Sequence, residues 1–509
     1  MRTANRAGGP PREAGLVHEL LDEAAREAED ATAVRHEGRA WSFRRLADRS
    51  HAFARWLRAR GVAPGDRVVT RLPNRPELVA MLYGTSRSGA VFVPLNPAMR
   101  EFHLKSVLAD AEPALVLAPG AELPRLRDLT AVPVYDADAV WAEVEAERGA
   151  DPFAGPGIDP EALAVLVYTS GSTSVPKAVM CPHAPVVFAG RAIQEVLRYR
   201  PDDVVYCRFP ISWDYGLYKV LLACLGRSEL VLAGEVSDLV MLRRMRETGT
   251  TVVPIVPSFA SMIVTMARRE AGPLPPVRMF TNTGAALPDA TIEGLREAFP
   301  GARVVRQFGQ TECKRISIMP PEQDGERPGS VGLPLPGTAV RILGPDGEPL
   351  PPGEVGEITA AGPHVMAGYW RSPELTARTF RTDPETGGRR LHTGDYGWFD
   401  GEGYLYFAGR RDDMFKRKGI RMSTLEIEAA AMDVPGVRAA AVLPPDGGRD
   451  LAVFVAGEVE AGVVLRELAR RLEPAKVPAT CRVLPDIPLT AHGKNSRDVL
   501  ARLLVGEAR

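Results

Sequence analysis

Short apolar and β-branched runs alternate with longer amphipathic stretches through the first two-thirds of the chain. "DRVVTRL" (66–72) is followed by "RPELVAMLYGTSRSG" and then "AVFVPL". "TTVVPIVP" (250–257) is followed by "SFASMIVTMARRE" and then "VRMFTNTG" (277–284). Parallel strands need a crossover between them, and a helix is its usual form. This order therefore predicts an α/β fold, a large N-terminal domain of parallel or mixed sheets with packed helices. "ALVLA" (114–118) and "LVLA" (230–233) add further strands. After about residue 330 Gly and Pro become frequent and the runs shorten ("VRILG", "GEITAAG", "GYLYFAG"), which predicts a β-rich subdomain with tight turns. "GRRDDMFKRKG" then opens a small, mobile α+β segment whose first helix is "TLEIEAAAMDV". A chain of 509 residues is too long for one core. The expected division is a large domain over 1–409 and a small C-terminal lid over 410–509, with residues 1–12 a disordered lead-in.

Charge and cysteine content exclude several classes. With 63 Lys and Arg against 64 Asp and Glu, the net charge of -1 gives no basic excess for nucleic acid. Cys181, Cys207, Cys224, Cys313 and Cys481 are scattered and odd in number, never in C-x-x-C spacing, so neither a disulfide framework nor a zinc site is expected. A reducing compartment fits best. The start has no apolar signal core and no run reaches the length of a membrane span. The expectation is a cytoplasmic protein with no membrane and no nucleic-acid partner.

The apolar run "LAVLV" (163–167) leads into "YTSGSTSVPK" (168–177), and a helix-compatible segment follows. The common P-loop needs a second Gly before its Lys and a hydroxyl residue after it; Pro176 and Ala178 stand there instead. Ser170, Ser172 and Thr173 still offer hydroxyl and backbone donors, Gly171 permits close approach, and Lys177 adds a charge. Such a loop can hold phosphates, although alone it also fits a polar turn. Five more segments accompany it: "FPISWDYGLY" (209–218), "NTGAALP" (282–288), "QFGQTE" (307–312), "LHTGDYGWFDGEGYLYFAGRRDDMFKRKG" (391–419) and "PLTAHGKNSR" (488–497). In this order and spacing the six resemble the adenylate-forming (AMP-binding) superfamily of acyl-CoA synthetases, luciferases and peptide-synthetase adenylation domains. Within it the chain is similar to stand-alone enzymes that load β-amino acids in macrolactam polyketide assembly. Ser174 and Ala178 depart from the family's loop, where Gly is usual.

The resemblance implies ATP and Mg²⁺ as cofactors and a role for each matching residue. Thr169, Ser170, Gly171, Ser172, Thr173 and Lys177 would hold phosphates; Glu312 would bind Mg²⁺, and Thr311 would contact the reacting phosphates. One carboxylate plus phosphate oxygens is the usual magnesium arrangement. Phe308 would stack on adenine, flanked by Gln307 and Gly309, with Gly284, Ala285 and Ala286 lining the slot. Asp395 would take the ribose hydroxyls with Arg410 as its partner, although alone it reads as a turn residue. Lys494 matches the lysine that stabilises charge during adenylation. Lys416 lies on the segment that serves thioester formation after the small domain rotates about Asp412. The basic cluster around Lys416, alone a solvated surface, could also receive a carrier protein or a CoA phosphate.

The acid is read from "SWDYG" and its surroundings. Trp213, Asp214, Tyr215, Thr283, Gly309 and Arg315 are the candidate substrate contacts. Asp214 matches the carboxylate that binds the ammonium of an amino acid, and a buried carboxylate needs a cationic partner. Arg315 could pair with a side-chain carboxylate, as in members that activate methylaspartate. The implied function is activation of a carboxylic acid as its acyl-AMP with release of pyrophosphate. Transfer to a phosphopantetheine thiol, on CoA or a separate carrier protein, would follow. An amino acid fits best, β-amino and acidic ones included. Asp214 could instead hold a loop, balanced by Lys314 and Arg315, in an acyl- or aryl-CoA ligase. Adenylation of an unusual acid such as nitrite is a further alternative. A nucleotide-binding regulator without catalysis is disfavoured by Lys177, Glu312, Asp395, Arg410 and Lys494 all being present.

Overall fold

The computed structural model describes residues 15–147, 152–169, 177–234, 240–410, 414–417, 420–446, 449–472, 474, 476–489 and 495–505, with 414, 416, 420, 421 and 505 as backbone only. The proposed lead-in, Ser170 to Thr173, Asp412 and Lys494 lie outside these residues. The chain gathers into two compact units. One takes residues up to Ala285 with Leu295–Val340 and Thr359–His392; the other takes Ala286–Gly294, Arg341–Ile358 and residues from Thr393 onward.

The first unit holds two sheets. In one, Arg67–Thr70 lies parallel to Val91–Pro94 and Leu115–Ala118, Leu115–Ala118 to Val134–Asp136, and Val91–Pro94 to Leu163–Thr169. The sheet ends in antiparallel pairings of Leu163–Thr169 with Lys177–Pro182 and of Lys177–Pro182 with Gly368–Tyr369. In the other, Thr32–His36, Glu229–Leu232, Val204–Cys207, Val252–Ile255, Met279–Asn282 and Arg303–Phe308 form a parallel series. The alternation of apolar runs and amphipathic segments is thus realised. The helix Pro76–Ser88, between two parallel strands, is buried on every side; its charged residues are paired, Glu77 with Arg39 and Arg75, and Arg87 with Asp22. Pro257–Ala267 is the crossover between Val252–Ile255 and Met279–Asn282.

One expectation is corrected. The segment after the hydroxyl-rich loop is not immediately a helix. Lys177–Pro182 is a strand paired back on Leu163–Thr169, with Thr169 opposite Lys177, and the helix His183–Leu197 begins only afterwards. The pairing of "KAVMCP" along both of its edges outweighs its helix compatibility.

The second unit contains the short strands read from the Gly- and Pro-rich texture, including Leu405–Arg410, which pairs with Arg389–Phe399 so that Asp395 faces Arg410. Toward the C-terminus, Val437–Leu443, Ala452–Gly457 and Thr480–Leu484 form a three-stranded sheet. Its period of two sorts the core. Val442, Val453 and Val455 pack with Ile427, Val464 and Leu468 on one face, while Ala441, Leu443, Phe454 and Ala456 pack with Leu500 on the other. Among the described residues, no helix is long and apolar enough to cross a membrane.

Buried histidines give this architecture an acid sensitivity. His183 is fully buried, and its Nδ1 accepts the Val17 amide at 3.1 Å, docking the helix Val17–Glu27. His18 sits edge-on to it, with ring centroids 6.5 Å apart, and its Nδ1 lies 3.0 Å from the Ser86 hydroxyl. Burial pulls the imidazole of His183 down to about 4, and burial reinforced by Arg87 pulls His18 to about 3. The folded value lies below the unfolded one of about 6.5. This contribution to stability is therefore complete above pH 6.5 and is lost as pH falls toward 4. From pH 7 to pH 5, His183 alone should cost about 2 kcal/mol of unfolding free energy in urea titrations. His183→Gln keeps an acceptor and should flatten that profile; an equally steep decline in the variant would remove His183 from the account.

Candidate active site

Three segments of the first unit meet around Tyr215. The first is the start of the helix Asp214–Gly226. Gly216 sets its entry, because a Cβ there would stand 2.2 Å from the Pro210 carbonyl oxygen. Trp213 is the N-cap, 41% exposed, and its carbonyl accepts the Leu217 amide. Asp214 follows in the first turn, where the helix dipole favours a carboxylate. Tyr215 points inward; its hydroxyl donates to the Thr281 carbonyl and is therefore committed to the protein, leaving the ring to line the site.

The second segment is the turn after Arg303–Phe308. The Cys313 amide bonds to Gln310 O and the Ile316 amide to Phe308 O, closing the turn at both ends. Lys314 is held at φ 62°, a left-handed conformation that costs a non-glycine residue about 1–3 kcal/mol and persists only where its surroundings enforce it. Gly309 allows the closure, since a Cβ there would stand 2.6 Å from Lys314 O and 2.7 Å from Arg315 Cα. The turn carries two cations into the interior. Lys314 Nζ donates to Asp214 Oδ2 at 3.1 Å and to Asp214 O at 3.0 Å. Burial draws its ammonium down to about 8, with Asp214 opposing the shift. Arg315, 3% exposed, donates from Nη1 to Thr283 Oγ1 at 2.7 Å. Its Nε has no hydrogen-bond partner, and no carboxylate pairs with the guanidinium among the described residues. Asp214 thus already has a partner in Lys314, whereas no carboxylate among the described residues bonds to Arg315.

The third segment is the strand end that follows Met279–Asn282. Thr283 and Gly284 leave the sheet, Gly284 at φ +88°, and Asn282 Nδ2 donates to Ala285 O at 2.8 Å to shape an exposed turn over Gly284, Ala285 and Ala286. Phe308 and Thr311 are half-buried, and both side-chain polar atoms of buried Gln307 lack partners among the described residues.

A second cluster lies at the base of the hydroxyl-rich hairpin. Lys177 Nζ donates to Glu312 Oε1 at 3.0 Å and to the Tyr369 hydroxyl at 2.8 Å, and that hydroxyl donates to Glu312 Oε1 at 2.6 Å. Lys177 also lies 4.1 Å from the Tyr369 ring centroid. Burial, and then Glu312, push the Tyr369 phenol well above its ordinary range, so it acts as a donor to the carboxylate. Among the described residues no group of three His, Cys, Asp or Glu could hold a metal alone. A single buried carboxylate fits instead a magnesium ion that takes its other ligands from nucleotide phosphates.

In the second unit, Asp395 is buried and Arg410 Nε lies 3.3 Å from its Oδ1; Thr393 Oγ1 accepts the Asp395 amide at 3.0 Å. Lys416 is placed by its backbone in the hairpin Met414–Arg417/Ile420–Ser423, opposite Arg421. The structure therefore brings Lys177 together with Glu312, Arg315 with Thr283, and Asp395 with Arg410. Tyr369 was not among the residues read from the sequence. A bare Gly-Tyr pair has no local signature, and only the pairing of Tyr369 opposite Val179 brings it to Lys177.

Comparison with known proteins gives a consistent result. The AMP-binding enzyme family matches residues 21–370, and the AMP-binding enzyme C-terminal domain matches residues 426–494. A feruloyl-CoA synthase of Amycolatopsis sp is 32% identical over 494 residues, covering 95% of this chain and 96% of its own. The phosphinothricin tripeptide synthetase PhsC of Streptomyces viridochromogenes is 32% identical over 505 residues, 96% of this chain but 45% of that one. The complex of VinN with L-aspartate is 53% identical, covers 78% of this chain and 99% of the other, and has a TM-score of 0.73. Its complex with 3-methylaspartate is 49% identical at the same coverage, with a TM-score of 0.67.

The geometry of the turn makes a direct test. Gly309→Ala forces backbone against backbone at Lys314 and Arg315, so stability should fall by about 1–3 kcal/mol in urea unfolding. A crystal structure of the variant should show Lys314 drawn off Asp214. An undisturbed turn with unchanged stability would mean that the close approach is dispensable.

Proposed function

Because this chain belongs to the AMP-binding enzyme family, a family of adenylate-forming ligases, we propose that it activates an amino acid bearing a second carboxylate, of the aspartate or 3-methylaspartate type. The acyl group then passes to a phosphopantetheine thiol on a separate carrier protein. The observation that carries this reading is Arg315, a buried guanidinium with Thr283 on one side and no carboxylate among the described residues. A substrate side chain would supply that carboxylate. Asp214, beside the exposed edge of Trp213 and bonded to Lys314, would take the ammonium. Solved complexes of VinN with L-aspartate and 3-methylaspartate support an acidic amino acid.

In the first half-reaction the reacting carboxylate of the substrate attacks the α-phosphorus of ATP, the bond to pyrophosphate breaks, and acyl-AMP forms. Charge gathers on the phosphoryl oxygens, so fixed cations are the main means of acceleration. Lys177 and the loop hydroxyls would hold the leaving phosphates, and Asp395 with Arg410 the ribose. Glu312, with Thr311 beside it, would hold Mg²⁺, which when bound neutralises phosphate charge. Gly284, Ala285, Ala286 and Phe308 would receive the adenine. Lys494, outside the described residues, is assigned to adenylation. Lys416 is assigned to thioester formation, in which the thiol sulfur attacks the acyl carbon and AMP leaves. Asp412 is assigned as the pivot of a small domain that begins near Arg410. The similarity to feruloyl-CoA synthase, together with the Lys314–Asp214 pair, favours an aryl- or acyl-CoA ligase as the second reading.

Substrate kinetics separate the two. Arg315→Leu should lower kcat/KM for aspartate or 3-methylaspartate at least 30-fold, equivalent to about 2–5 kcal/mol, and alter amino acids without the second carboxylate far less. A wild type that releases pyrophosphate faster with feruloyl-type or fatty acids than with any amino acid hands the function to the CoA-ligase reading. The two lysines are tested apart: Lys494→Ala should abolish ATP–pyrophosphate exchange, and Lys416→Ala should retain exchange while slowing thiol transfer. Loss of the same half-reaction in both variants would falsify the division of labour.

A further inference from the structure

The helix that presents Asp214 also carries a lysine into the interior. Lys219 is 2% exposed and is surrounded by aromatic rings. Its Nζ donates to the Tyr199 hydroxyl at 3.3 Å and lies 4.7 Å from the ring centroid of Tyr215 and 5.7 Å from that of Tyr199. No carboxylate pairs with it among the described residues. A buried cation without a counter-ion is costly, and a helix with this apolar pattern would be more stable with Leu or Met there. Cation–π contacts and one phenol offset only part of that cost. The same Tyr215 ring has Lys314 at 5.5 Å and Arg315 at 5.9 Å from its centroid. Three cations thus surround one ring, and Asp214 is the one carboxylate among the residues that face them.

We propose that Lys219 is a specificity-determining residue: a buried ammonium behind Tyr215 whose field selects substrates with a second negative charge. The inference rests on the acidic-substrate reading above and extends it to a residue that does not touch the substrate. Facing groups are Asp214 and Tyr215 on its own helix, Tyr199 after the helix His183–Leu197, Cys207 at the end of Val204–Cys207, and Lys314 with Arg315 on the turn. Burial, then the two neighbouring cations, pull Lys219 well below the usual ammonium range. An anion bound on the far side of Tyr215 would oppose the pull of the two cations and favour the proton on Nζ. At low effective dielectric, two unit charges about one aromatic ring apart interact strongly enough to shift selectivity roughly tenfold.

L-Aspartate and L-asparagine, equal in size and differing in charge, are the probes. The full chain is assayed with each by pyrophosphate release, in wild type, Lys219→Met and Lys219→Gln. The aspartate-over-asparagine ratio of kcat/KM should fall roughly tenfold in both variants, mainly through KM. The thermal midpoint of Lys219→Met should be unchanged or raised. The wild-type ratio should also decline as pH rises and Nζ loses its proton, and the variants should show less of that decline. A wild type that takes asparagine as readily as aspartate overturns the acidic-substrate reading and this inference together. A selective wild type whose ratio survives both substitutions overturns the inference alone. Failure of both variants to fold makes Lys219 a structural ammonium and overturns it too.

Discussion

The site depends on one tight turn. Residues 309–315 fold back on the end of their own strand, and the absence of a side chain at Gly309 lets the backbones touch. That closure twists Lys314 into a left-handed conformation and drives two cations beneath the first turn of a neighbouring helix. Without it Asp214 would lose its counter-charge and Arg315 its place beside Thr283. The strain at Lys314 is of the order a closed turn with two end hydrogen bonds can sustain, and it is spent where charge has to be placed with precision. A rigid parallel sheet supplies the platform, since Thr281 and Phe308 sit on adjacent strand ends.

On the proposed reading, the hairpin that joins Leu163–Thr169 to Lys177–Pro182 would solve a related problem by other means. In a P-loop a helix N-terminus lends its dipole to the anion. Here a strand follows the loop, so no helix dipole follows directly, and on the proposed reading Lys177 would supply the fixed positive charge. Lys177 neutralises Glu312 through a contact that Tyr369 braces from one side. The buried carboxylate is thereby satisfied, which avoids the penalty of an isolated buried charge.

Much of this was legible in the sequence, and the exceptions share a cause. Strand-helix-strand order was readable because the runs at 66–72 and 250–257 carry their own period and length. The motif residues were readable because loop chemistry is local. What escaped is what long-range pairing decides. "KAVMCP" fits a helix until it is paired on both edges, and Tyr369 reaches Lys177 only through a strand formed nearly two hundred residues later. The Lys314–Asp214 pair joins residues 100 apart in the chain. Lys219 is a partial exception: a single lysine inside "YGLYKVLLACLG" stands out as a charge in an apolar helix. Its surroundings of phenol rings could not be inferred from that stretch.

The order of segments in the first unit bears on how the chain is made. Thr32–His36 pairs in parallel with Glu229–Leu232, and His36 Nδ1 lies 3.1 Å from the Leu232 carbonyl oxygen, 196 residues along. Synthesis at roughly 5–20 residues per second leaves that early strand without this neighbour for on the order of 10–40 s. Arg39–Ser42, joined to it as an antiparallel hairpin, covers one edge in the meantime. The other edge stays open, a template for pairing with any nascent strand nearby. The helix Phe43–Ala59 and the fully buried Pro76–Ser88 emerge soon after and can bury their faces against each other. The unit is complete only when residues 359–392 have left the ribosome, so its yield in a cell is set by how well those first hundred residues stay out of trouble while they wait.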